Sequence, residues 1–444
     1  MRTGPLLAGA AAADITPTTP MFLYGYPHVE RRSEGVHDPL AAAALVLDNG
    51  ETQVALCALD LIFISKRMVN AIRERVRAAT GLPAHNLLVS CTHTHSGPIT
   101  VDMISNRDDP AVPPADEQYV EFVIGAAADA LVRAYQARRP AELAIAVADG
   151  TGVGGNRRAD DGPVDPEVPV IVARDHAGRS PIAVCTTYCM HPTVLHEDSK
   201  RVSADFPGYA RQRVLDELGD DMVYLYHTGP AGDQSPRRHI RANTFDEAGR
   251  LGKMLGERIV DSVSRLNNAD YRSDVSLAAW SSDVMLEPKT FPPVEEAERR
   301  LADARETLRR LMQSGAPRPE VRTAECDLFG AEEAVTLAAA AADGALADVL
   351  AQVLPAEVQV LDIAGRCFVG LPGELFAAYS LRIKERSPAK TFVIALANGE
   401  LQGYIVTDAA AAEGGYEAGN GLFPPQAGER LVDEAIRLIN ARRV

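Results

Sequence analysis

The spacing of short apolar runs constrains this chain most. Runs at 54–58, 86–90, 143–147, 168–173, 182–188 and 223–226 read as strands. Segments 66–80, 117–137 and 209–217 carry apolar residues at a spacing of about 3.6 and read as helices between them. Strands alternating with helices at this pitch predict an α/β fold, a single domain on a large mixed β-sheet flanked by helices. From 293 to about 352 the chain turns to Ala, Glu, Arg and Leu, with one break at 314–319, which predicts a helical insertion. Strands at 358–363, 367–371 and 391–397, with a helix at 376–385, then resume. No internal repeat marks a second domain, so 1–444 reads as one unit.

Composition narrows the function classes. Aromatics are 5% of the chain, so the core must rest on Ala, Leu and Val. Lys and Arg number 45 against 61 Asp and Glu, a net charge of −16, which opposes a nucleic-acid groove. No run approaches the ~18–20 uncharged apolar residues of a membrane span, so stable membrane insertion is not expected. Met1-Arg2 followed by the apolar stretch 6–13 is thin for a signal peptide. The six cysteines form no CxxC pair and read as reduced, which together points to a cytoplasmic protein.

Gly150-Thr151-Gly152-Val153-Gly154-Gly155 follows a strand as a dinucleotide loop would, but Asn156-Arg157-Arg158 leads to Gly162-Pro163, a poor helix start. It reads as a glycine turn. The histidines carry more. Thr92-His93-Thr94-His95-Ser96-Gly97-Pro98 follows the run 86–90. On an extended chain residues two apart face one side, so His93 and His95 project together at a strand's C-terminal end. HxH there suits a metal, although a hydrogen-bonded surface pair is the blander account. His191-Pro192, Gly232-Asp233-Gln234-Ser235 and Leu371-Pro372-Gly373-Glu374 end three further strands. Two His plus a carboxylate with an open position suits catalytic zinc. Gly97-Pro98 breaks the HxHxDH pattern of metallo-β-lactamases, and the late Asp and bridging Lys of amidohydrolase barrels are missing.

These residues also carry a family resemblance. Asp14-Ile15-Thr16-Pro17, Leu23-Tyr24-Gly25-Tyr26, His37-Asp38-Pro39-Leu40, the THTHSGP run, Asn156-Arg157, His191-Pro192-Thr193, Leu371-Pro372-Gly373-Glu374, Gly403-Tyr404 and Gly415-Tyr416-Glu417 occur in order along the chain. In this the sequence resembles the neutral, non-lysosomal ceramidases, zinc amidases with an α/β catalytic domain. The resemblance implies His93, His191, Glu374 and Tyr404 as ligands of one zinc ion per chain. It implies His95, Arg157 and Tyr416 on the catalytic, substrate-facing side, with Gly25, Asp233 and Ser235 as further pocket candidates. A peripheral Mg2+ or Ca2+ ion is compatible with the same reading. Two departures from the family are expected: a helical insertion at about 293–352, and no C-terminal β-sandwich domain after the catalytic one.

The function expected is therefore zinc-dependent hydrolysis of an N-acyl or peptide-like small amide by a metal-activated water, with Arg157 and Tyr416 stabilising the oxyanion and His95 protonating the amine. A true ceramidase acting on lipid amides is one alternative. A non-catalytic binding protein on the same scaffold is the other, and the full ligand set argues against it.

Overall fold

Along Ala41–Asp48, residues Ala43, Leu45 and Leu47 join one buried core while Ala42, Ala44 and Val46 join another. Both faces of the strand are covered, which is why it reads as an unbroken apolar run without polar alternation. In the computed structural model, which describes residues 3–441, eight such strands form a mixed sheet. Their spatial order is Val223–Thr228, Pro181–Tyr188, Glu167–Asp175, Arg139–Asp149, Leu7–Asp14, Ala41–Asp48, Gln53–Leu59, Leu87–Cys91. The two outermost pairs are parallel and the others antiparallel. At its middle the ladder holds by only Leu7↔Pro140 and Ala8↔Arg139, so the sheet bends there. Its edge strands return to each other, with Ser90 Oγ 2.7 Å from His227 Nδ1.

The large mixed sheet flanked by helices is as expected. A second, five-stranded sheet was not legible: Thr3–Pro5, Asp274–Val284, Ala356–Ile363, Arg366–Gly370 and Thr391–Ile394. Its Asp274–Val284 strand alternates buried and solvent-touching residues and lacks a continuous apolar run. The inner faces of both sheets share one core, including Leu45, Ile171, Leu361, Phe368 and Phe392. Helices cover the outer faces. Lys66–Thr80 and Glu117–Gln136 lie on one half of the large sheet, Asp205–Leu218 and Phe245–Ser264 on the other, and Ala377–Arg386 with Pro425–Ala441 on the small one. Lys66–Thr80 shows the local logic: Ser65 caps Met68 N, and Gly81 at φ 78° ends the helix. Met68, Val69, Ile72 and Val76 form its buried stripe, each contributing roughly 1.5–3 kcal/mol.

The apolar stretch weighed as a leader is the mid-sheet strand Leu7–Asp14, and Met1 and Arg2 lie outside the described residues. The glycine turn opens no helix; Gly155–Asn156 instead pairs with Gln234–Ser235. The insertion is a hairpin of Val294–Gln313 and Arg318–Asp343, and a third helix, Ala345–Val353, follows it. All six cysteines are free and five are buried. No single helix among the described residues is long and apolar enough to cross a membrane.

Candidate metal centre

Three parallel strand pairs point their C-terminal ends toward one place, the arrangement in which open α/β sheets bind ligands. His93 follows Leu87–Cys91, His191 follows Pro181–Tyr188, and Glu374 follows Arg366–Gly370 from the small sheet. Their donors converge. Glu374 Oε2 lies 3.2 Å from both His93 Nε2 and His191 Nε2. His95 Nε2 lies 3.4 Å from His93 Nε2, and one nitrogen from each of the three histidines falls within 4.8 Å of the others.

His93 and His95 do meet, but not through strand alternation. His93 sits at φ 67°, so the chain has left the extended form, and its N–H bonds Leu61 O at 2.9 Å. A non-glycine residue held in the left-handed region at a cluster of this kind is strain kept for a purpose. Ring Nδ1 of His93 bonds Ile62 O at 3.0 Å and that of His191 bonds Ala231 O at 2.6 Å, which frees both Nε2 atoms for the cavity. His191 Nε2 and Glu374 Oε2 are buried without a well-formed hydrogen bond. Orphaned donors in a dry pocket normally have a partner, and a cation fits this set.

The electrostatics agree with metal binding. Burial, reinforced by His93, drops His191 to about 4, so its imidazole is neutral, the ligating form. Burial would raise Glu374, yet His93 and His191 outweigh it and hold the carboxylate well below its usual range. Burial and the same two histidines push His95 well below the ordinary imidazole value.

The remaining candidates fall into two groups. Tyr404 stands beside Glu374 because Tyr404–Ile405 and Glu374–Leu375 pair in parallel at that position. The Tyr416 ring meets Tyr404 edge-on at 5.8 Å, and the Arg157 guanidinium lies 5.3 Å from the Tyr404 ring centre. Arg157 Nε donates to Glu417 Oε1 at 2.8 Å, and burial is overcome by Tyr404 and Glu417, which keep it charged. Gly25 abuts His95: at φ 121°, a Cβ there would sit 2.4 Å from His95 Nδ1. Asp233 and Ser235 serve the surrounding turns. Asp233 accepts from Asn156 Nδ2 at 2.9 Å and Ala377 N at 2.8 Å, and Ser235 Oγ accepts from Arg237 N at 3.2 Å.

Sequence reasoning missed Arg31, which is 0% exposed and donates to His95 O at 2.8 Å and Ser199 O at 2.8 Å. In Glu30-Arg31-Arg32 nothing distinguishes it from a solvated charge. It also missed the rest of the cavity lining, where Asn106, Glu333 and Asn420 join Ile62, Phe63 and Met103. Those groups come from segments far apart in sequence. A wider groove lined by Asp149, Arg258 and Asp261 lies elsewhere and holds no such histidine set among the described residues.

The family model described as neutral/alkaline non-lysosomal ceramidase, N-terminal, matches residues 6–241, more than half of the chain. The chain belongs to this family. Ceramidase structures share the fold. Neutral ceramidase from Pseudomonas aeruginosa superposes with a TM-score of 0.74 at 18% identity, covering 98% of this chain and 75% of that one. A ceramidase complexed with C2 does so with a TM-score of 0.74 at 16% identity, covering 99% and 75%. Family and fold support an amide-hydrolysing, ceramidase-like enzyme, and the buried His93, His95 and His191 cluster can hold a metal ion.

Proposed function

We propose that this ceramidase-family chain is a zinc-dependent hydrolase of small N-acyl or peptide-like amides. The observation that carries the reading is the meeting of His93 Nε2, His191 Nε2 and Glu374 Oε2 at 3.2 Å, with orphaned atoms among them. These three, with Tyr404 beside Glu374, would hold the ion. A bound zinc supplies Lewis acidity, lowering the pKa of a water from about 16 to about 7 and polarising the scissile carbonyl.

The chain's own groups do the rest. Ile62 O and Ala231 O fix the tautomers of His93 and His191. His95, neutral and with Nδ1 unpaired, is placed to move a proton to the leaving amine. Arg157, held by Glu417, and Tyr416 stabilise the charge that develops on the carbonyl oxygen. His93 and His191 are each 1% exposed, so attack takes place away from bulk water. The test is hydrolysis of a panel of N-acyl amides by the metal-loaded chain, before and after chelation. Turnover that survives complete removal of metal would overturn the zinc reading. Ceramide cleaved faster than every short amide would replace the substrate class.

A further inference from the structure

The helical hairpin does more than cover the cavity. Glu333, from Arg318–Asp343, lines the same cavity as His93, His95 and Glu374 and is 1% exposed. Its Oε1 accepts from Asn106 Nδ2 at 3.2 Å, and its Oε2 accepts from Asn420 Nδ2. Behind it stand Asp109 and Glu332. A single imidazole serves all three: His28 lies 3.0 Å from Asp109, 3.6 Å from Glu332 and 4.0 Å from Glu333. One imidazole carries at most one positive charge against three carboxylates. Arg305 reaches Glu332 from the surface at 3.2 Å, and Arg157, the cation on the substrate-facing side, is already paired with Glu417 at 2.8 Å.

A buried carboxylate without a cation is costly. Burial pushes the Glu333 carboxyl up to about 7; Asn420 and Asn106 pull it down, while Asp109 and Glu332 push it further up. Both oxygens accept from asparagine amides, yet no Lys or Arg among the described residues pairs with Glu333, and the cavity that it lines is where a positive or further hydrogen-donating group would come from.

We propose that Glu333 selects the substrate, a short amide bearing an ammonium or hydroxyl group a few bonds from the scissile carbonyl. The proposal rests on the amide-hydrolase reading. An anionic substituent would instead face both Glu333 and Glu374, and like charges brought together in a dry cavity repel strongly. If Glu333 only ties the hairpin to Asn106 and Asn420, its loss affects every substrate alike.

The experiment compares N-acetyl amides of ethylenediamine, ethanolamine, ethylamine and glycine, with the same four groups placed on the acyl side in parallel. The zinc-loaded full chain should show kcat/KM falling from the ammonium compound to the carboxylate, a ratio of about tenfold or more. In Glu333→Gln that ratio should collapse to within about threefold. Two results overturn the proposal: a wild-type preference for the carboxylate, or a Glu333→Gln that lowers all four rates equally and keeps the wild-type order. If Glu333→Gln does not fold, the wild-type order decides alone. If the wild type hydrolyses none of them, the amide-hydrolase reading fails, and calorimetry of the same compounds on the metal-free chain decides this one. Tighter binding of the ammonium compound, weakened in Glu333→Gln, supports it, and equal binding of all four overturns it.

Discussion

His93, His191 and Glu374 are at most 7% exposed and rise from strand ends of two sheets, whereas Val294–Gln313 in the covering hairpin buries only Ala297. The donors are held by a core on every side. The hairpin is tied to the body by Glu333, by buried Leu337 and Ala340 and by the exposed pair of Arg107 with Asp343 at 2.7 Å, while Arg305 with Glu332 at 3.2 Å joins its two helices to each other. Exposed pairs are worth little, and segments with few buried contacts open first. The contrast sets donors held in the core against a hairpin whose outer helix is largely solvated and whose inner helix packs through Leu337 and Ala340.

The largest effects should come from the rigid side and should separate two histidines in one motif. His93→Ala is expected to lose metal and activity together, with some stability, because metal binding adds to folding free energy. His95→Ala should keep near-stoichiometric zinc and lose turnover by ~10²- to 10⁴-fold. Metal analysis beside kinetics checks both, and zinc lost from His95→Ala but kept in His93→Ala would reverse the assignment.

Arg157→Lys comes next. Lysine keeps the charge but not the planar fork that bonds Glu417 beside the Tyr404 ring, so turnover should fall about 10²-fold with zinc retained. An unchanged rate would place Arg157 with the glycine turn instead of the site.

The hairpin should respond to pH through Glu333. Folding raises the Glu333 pKa from an ordinary 4.5 to about 7, chiefly by burial, so the fold favours its neutral form. That stabilisation is full below pH 4.5 and lost as pH rises through about 7, an effect of up to roughly 3 kcal/mol. Hydrogen exchange in Arg318–Asp343 should therefore quicken between pH 5 and pH 8 relative to the strand Ala41–Asp48, and Glu333→Gln should flatten that difference. Equal pH dependence in both segments would remove the distinction.

The smallest effect belongs to the surface. Arg305→Ala, which breaks a pair with Arg305 61% and Glu332 27% exposed, should cost about 0.5 kcal/mol or less by denaturant unfolding. A cost of several times that would mean the two helices of the hairpin depend on this surface pair.

Much of the site was legible because metal ligands have few acceptable residue types and strand ends have recognisable punctuation. His191-Pro192 and Pro372-Gly373-Glu374 show this, since an apolar run stopped by Pro or Gly leaves the next polar side chain at the sheet's rim. Tyr404 was reached only through the family resemblance. Its neighbour Glu374 is 30 residues earlier, and a two-residue parallel bridge joins them. Arg31 and Glu333 had no signal of any kind, because a buried charge and a solvated one are spelled alike.

What the sequence by itself determined is local. The helix Lys66–Thr80 follows from Ser65, Gly81 and a stripe at helical spacing, and the covered strands follow from runs apolar on both faces. The HxH motif specified the residues but not how they meet, since the left-handed turn at His93 depends on Leu59 and Leu61 accepting the N–H groups of Thr92 and His93. Only the tertiary structure decided that the large sheet bends at the Leu7–Ala8 junction, that a second sheet shares its core, and that the hairpin sets Glu333 in one cavity with Glu374. The reason is physical. Propensity and periodicity act over one turn or one strand, whereas the bend, the shared core and the cavity wall arise from contacts between segments hundreds of residues apart, whose pairing is decided by packing the whole chain at once.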